Sequence, residues 1–189
     1  MTDFGLWYDF RNPAGGTGSM SSIYAETIEQ AVYAEELGFD HIWTTEHHFV
    51  DDGYSPSLLP ICAAIAAPTQ RVRIGTAVLL LLLHDPIRVA EDAATVDLIS
   101  GGRLDLGVGI GYRQAEFTPF RVAHDSRGRQ FEEALSVLRQ ALLPGPLTFA
   151  GEFYQYERVD VTPRPVQQPL PIWLGGLTGR AVERAARLS

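Results

Sequence analysis

Apolar residues follow two alternating rhythms along this chain. Short, nearly continuous apolar runs are separated by longer stretches in which apolar side chains return every three or four positions. The runs predict strands over 4–9, 42–45, 72–82, 104–110 and 171–174. The intervening periodicity predicts helices over 22–37, from near 55 to 67, over 86–100, over 127–143 and from near 178 onward. Strand and helix in strict alternation call for a parallel sheet covered by helices, an α/β fold of about five βα units.

Local signals support these boundaries. Ser21 or Ser22 can cap the first helix, and Gly38 followed by Phe39 reads as a left-handed stop with its hydrophobic contact. Pro56 suits a first helical turn, and Pro68 ends that helix. Asp85 as cap with Pro86 as first residue opens the third helix, which stops at Gly101 and Gly102. The unbroken run over 72–82 is what a strand buried on both faces requires. A Pro-rich stretch holds a possible hairpin, 147–149 pairing with 153–156 across Gly151. Residues 180–189 read as the middle of a helix, so a truncated chain is the expectation, organised as a single domain over 1–189.

Composition narrows the function. With 46% hydrophobic residues in 189, one sizeable core is affordable. A formal charge of -8 and no basic cluster argue against a nucleic-acid surface. Cys62 is the single cysteine, which excludes an internal disulfide and fits a reducing compartment. The longest apolar run, 77–83, is far short of the roughly 20 residues that cross a bilayer. A soluble cytoplasmic protein with no membrane partner is expected.

Candidate chemistry concentrates at Glu46, His47 and His48. Neighbouring side chains on a strand point to opposite faces, so three in a row serve one site only where the strand is ending. The end of a parallel strand is where such folds keep their chemistry. The same triplet also fits a buried, hydrogen-bonded core histidine beside two solvated groups. No metal site is expected from these residues and His84, for neither HxH nor HExxH spacing is present. Gly107-Val108-Gly109-Ile110-Gly111 misses the dinucleotide fingerprint, because Tyr112 stands where its third glycine belongs. Missing Cβ atoms at a strand exit would instead let a flat ring approach. Trp43 and Trp173 read as core, whereas Trp7 suits a substrate pocket. Arg88 and Glu91 read as a structural ion pair, and Arg103 as closing the bottom of the sheet.

Taken in order, several segments resemble the bacterial luciferase-like flavin oxidoreductases, TIM barrels of the (β/α)8 type that use FMN or the deazaflavin F420. They are Glu36-Leu37-Gly38-Phe39-Asp40, Trp43 to Phe49 around the triplet, Gly75-Thr76-Ala77, His84-Asp85-Pro86, Asp97 to Arg103, Gly107 to Tyr112, and Pro171 to Gly176. The resemblance covers five βα units, whereas a closed barrel has eight and typically about 250 residues. It implies that His47, at the end of the second strand, is the active-site histidine; as acid/base it is expected to be tuned or oriented by Glu46, with His48, and Trp7 near its own strand exit, lining the substrate pocket. It implies a cofactor ring against Ala77 and Val78, where relatives carry a non-prolyl cis peptide, and beside Gly109, Gly111 and Tyr112. It implies a cofactor phosphate at Gly176, Thr178 and Gly179, a turn feeding a helix N-terminus. Ile110 stands where the luciferase catalytic subunit has a phosphate-binding arginine, so Arg113 or the missing half of the barrel has to supply that charge. A monooxygenase acting on a small organic molecule with dioxygen, or a hydride-transferring oxidoreductase, is the expected activity. The alternative is a non-catalytic partner that associates through open sheet edges, and homo-oligomerisation is expected.

Overall fold

Six parallel strands form one sheet in the computed structural model, which describes residues 2–176 and 178–188. The elements run β1 (Gly5–Tyr8), α1 (Met20–Glu36), β2 (His41–Thr44), α2 (Leu58–Ala66), β3 (Arg73–Thr76), β4 (Leu79–Leu80), a 3-10 turn (Leu81–Leu83) and α3 (Pro86–Ser100). Then follow β5 (Leu104–Gly109), α4 (Gln114–Phe117), α5 (Arg127–Leu142), the antiparallel pair β6 (Leu147–Ala150) and β7 (Gln155–Val159), β8 (Ile172–Leu174) and α6 (Gly179–Leu188). Five βα units of a TIM-barrel-type sheet are thus present. The last residue of the expected final helix, 189, lies outside the described residues.

The two faces of the sheet differ. Ile42, Ile74, Leu104, Leu106 and Val108 are all fully buried on the helix-facing side, against Ile65 of α2, Ala93 of α3 and Leu138 of α5. The register sets Trp7 beside Trp43, Trp43 beside Gly75, and Gly107 beside Trp173 on the opposite, concave side. There Trp43 meets Trp173 edge-on with centroids 6.4 Å apart. Trp173 is 58% exposed and not the core residue expected, because it points into the concavity and not toward the helices.

Several expected boundaries need correction. Helix α1 starts two residues early: Ser19 is its cap, accepting the Ser22 N–H while the Ser22 hydroxyl answers the Ser19 N–H. Helix α2 starts at Leu58, because the Ser55 hydroxyl is already committed to the Thr45 carbonyl. The apolar run over 72–82 is not one strand. Residues 77 and 78 interrupt it, β4 resumes pairing with β5 at Leu79 and Leu80, and the next three leucines make a 3-10 turn. Apolar composition records burial, which a buried strand and a buried turn share. The hairpin is shifted, pairing Ala150 with Gln155 and Leu147 with Val159. By contrast, Gly38 (φ +90°) and Gly101 (φ +66°) stop their helices in the left-handed region as expected, and Arg88 pairs with Glu91 at 3.1 Å on the surface.

Arg103 ties the N-terminal end of the sheet together. Its guanidinium donates to the carbonyls of Ser100, Ala66, Thr69 and Val72 and to the Thr69 hydroxyl, at 2.7–2.9 Å. Two of these, on Ala66 and Ser100, are end carbonyls of α2 and α3, and the other two lie in the connection that leads into β3. Arg103→Ala is therefore expected to cost about 3 kcal/mol in urea unfolding, with only part recovered by Lys, which lacks the planar fork.

Candidate active site

The chain leaves its extended geometry immediately after Thr44, and three polar side chains fan out in different directions. The Thr45 N–H still reaches the Tyr8 carbonyl at 3.1 Å, and the His47 N–H reaches the Ser55 carbonyl at 3.2 Å, which holds the loop after β2 in place. Beyond that point two buried carboxylates organise the loop.

Glu46 does not orient His47, contrary to expectation. Its Oε1 contacts Nε2 of His48 at 2.7 Å and Nε2 of His84 at 3.1 Å, and its Oε2 accepts the Leu80 N–H at 3.0 Å. The side chain turns toward β4 and the start of α3 because those elements carry its donors. Burial acts to raise the Glu46 carboxyl, yet the hydrogen bonds from His48, His84 and Leu80 outweigh it and hold the group below the ordinary range. His48, buried against the edge of Phe120 at 4.9 Å, is a packed member of this cluster.

The partner of His47 is Glu116 of α4. Its Oε1 lies 2.7 Å from His47 Nδ1 and also accepts the His48 N–H at 3.0 Å and an Arg113 N–H at 3.2 Å. Glu116 is fully buried. Nε2 of His47 faces the Tyr112 hydroxyl at 3.4 Å. The rings of Tyr54 and Tyr112 stand edge-on to the imidazole, with centroids at 4.8 and 5.6 Å. Tyr112 is 71% exposed and lies past the end of β5, so Nε2 is directed toward the surface at the mouth formed by the strand ends. Arg113 is committed to Glu116, and so is not the free charge that the replacement at Ile110 called for.

The peptide between Ala77 and Val78 is cis, at the position the motifs indicated. The glycines beside it have a packing reason of their own. A Cβ on Gly109 would lie 2.6 Å from Val78 Cγ2, one on Gly175 would lie 2.6 Å from Val78 Cγ1, and one on Gly107 would collide with the Thr76 carbonyl. Gly111 adopts φ +83° next to Phe117. Gly176 faces Ala181, whereas Gly179 has open space around it. Thr178 caps α6, accepting the Ala181 N–H on its hydroxyl at 3.3 Å. Trp7, 64% exposed, shares the concave face with Trp43. The structure therefore brings His47, Tyr112 and Glu116 together, and groups the side chains of Glu46, His48 and His84 in a second cluster that is joined to the first through the His48 N–H on Glu116. Among the described residues, no three His, Cys, Asp or Glu side chains are grouped to hold a metal ion, and no helix is long and apolar enough to cross a membrane.

Glu116 escaped the sequence reading. It sits in Arg113-Gln114-Ala115-Glu116, a polar segment whose composition resembles a solvated loop, and its burial comes with Phe117 packing on Leu80 and Leu83 while Glu116 meets the loop after β2.

The profile of the luciferase-like monooxygenases matches residues 2–189. The chain belongs to this family. This luciferase-like chain is 34% identical to the monooxygenase RslO1 from Streptomyces bottropensis, with a TM-score of 0.91 over 99% of this chain and 57% of that one. It is 33% identical to the oxygenase component of the flavin-dependent trigonelline monooxygenase of Acinetobacter baylyi, over 82% of this chain and 44% of that protein. It is 32% identical to the F420-dependent glucose-6-phosphate dehydrogenase of Nakamurella multipartita, over 87% and 50%. The chain thus spans about half the length of these curated relatives.

A carboxyl held below its unfolded value of about 4.3 contributes stability that is present above that pH and is lost as pH falls through the folded value. Unfolding midpoints measured from pH 7 downward should therefore drop on the acid side, and Glu46→Gln should lack that component of the drop.

Proposed function

We propose that this luciferase-like chain carries the cofactor-facing and proton-handling part of an FMN- or F420-dependent oxidoreductase that acts on a small organic substrate. The single observation that carries the reading is His47, clamped through Nδ1 by a buried carboxylate while Nε2 faces the mouth at the strand ends. Relatives whose names record flavin-dependent and F420-dependent reactions support it.

The residues present fit a planar redox ring. Ala77 and Val78 would back it, Gly109, Gly111 and Tyr112 would border it, and Trp7 would flank the substrate. Gly176, Thr178 and Gly179 would receive a phosphate at the start of α6, where a helix N-terminus favours an anion and the surroundings of Gly179 are open. A bound ring of this kind supplies the redox step, either hydride exchange or reduction of dioxygen. The chain's own part is to position substrate and to move one proton at His47 Nε2, a role suited to an imidazole near neutral pH. His48 contributes indirectly, by holding Glu46 and packing beneath the mouth.

A second reading is favoured by the open edges. Among the described residues β1 pairs only with β2, and β8 only with β5, while Trp7 and Trp173 stand exposed between them. Such a surface suits a non-catalytic partner subunit or a homo-oligomer. A discrete oligomer on size exclusion that fails to quench either cofactor would favour that reading.

The primary test is titration of the purified protein with FMN and with F420, followed by visible absorbance and fluorescence. Saturable binding of one of them is expected. In whichever assay the bound cofactor supports, His47→Ala should keep cofactor affinity while turnover falls by about 10²-fold or more. Full turnover in that variant would end the assignment of His47.

A further inference from the structure

Glu116 has an unusual contact set for a fully buried carboxylate. Its Oε2 is buried without a hydrogen-bond partner, whereas its Oε1 meets His47 Nδ1, the His48 N–H and the Arg113 guanidinium. A peptide N–H and an arginine N–H can only donate, so Oε1 is an acceptor toward both. With Arg113 as countercharge, the carboxylate is the form those donors suit. The hydrogen in the remaining 2.7 Å contact therefore belongs to the imidazole.

We infer that Glu116 is a positioning residue that fixes neutral His47 as the Nδ1–H tautomer, so that Nε2 alone presents a lone pair to the strand-exit mouth. The inference rests on the proposed acid/base role of His47 for its consequence, but the tautomer stands on geometry alone. Which ring nitrogen carries hydrogen is set by the bond that the other nitrogen makes.

The neighbouring histidines make the contrast. His48 and His84 are both held through Nε2 by Glu46 Oε1. His47 is held through the other nitrogen, which directs its Nε2 to Tyr112 at 3.4 Å. Rotation of the ring about its Cβ–Cγ bond would put a C–H against Glu116 and forfeit the 2.7 Å contact. When Nε2 accepts a proton, the ring carries a hydrogen on each nitrogen and its positive charge lies against Glu116. When Nε2 returns the proton, the starting tautomer is restored, with no net change in the protein.

The test is a long-range proton–nitrogen NMR correlation of the imidazole rings in the nitrogen-15-labelled chain at about pH 8, where ordinary imidazoles are neutral. The chain has 5 histidines, so His47 is assigned by the signals missing in His47→Ala. A pyrrole-like Nδ1 and a pyridine-like Nε2 are expected in the wild type. Glu116→Ala should shift the ring to the Nε2–H form or to an averaged mixture, and lower kcat by about 10²-fold with cofactor affinity kept. An Nε2–H or averaged His47 in the wild type overturns the inference, as does an unchanged Nδ1–H ring in Glu116→Ala. If that variant does not fold, the wild-type spectrum decides alone. An active His47→Ala protein would instead sink the proposed function while leaving the tautomer as measured.

Discussion

Burying a carboxylate is costly unless donors meet it, and the loop after β2 is shaped by two that are so met. Glu46 gathers His48, His84 and the Leu80 amide, and thereby joins the end of β2 to β4 and the start of α3. Glu116 gathers His47, the His48 amide and Arg113, and thereby joins the same loop to α4. The loop is pinned from both sides in this way, with the rings of Tyr54, Tyr112 and Phe120 packed on its histidines.

The alternation of strands and helices is legible because each element needs its own apolar rhythm, and those rhythms survive in Ile42, Ile74, Leu106 and their neighbours. Interruptions within a buried segment are not legible by the same means. Residues 77–83 remain apolar through a strand break, a resumed bridge and a 3-10 turn, so composition carries no mark of the change. Trp173 misleads for the opposite reason: an aromatic on a strand looks like core whichever side of the sheet it occupies.

At the site, His47 was reachable through ordered motifs and its place at a strand exit. Its carboxylate partner was not. Glu46 is adjacent in sequence and therefore the obvious candidate, but adjacent side chains at a fraying strand end diverge, and a residue 69 positions further on fills the place. Glu116 carries no local signal of burial, since charged side chains are shielded only by contacts that form between distant segments.

Val78 is wedged between Gly109 and Gly175, touching the space where either would carry a methyl group. The three positions consequently share one fixed volume. Bulk gained at 109, where β5 ends, or at 175, just past β8, has to be matched by bulk surrendered at 78.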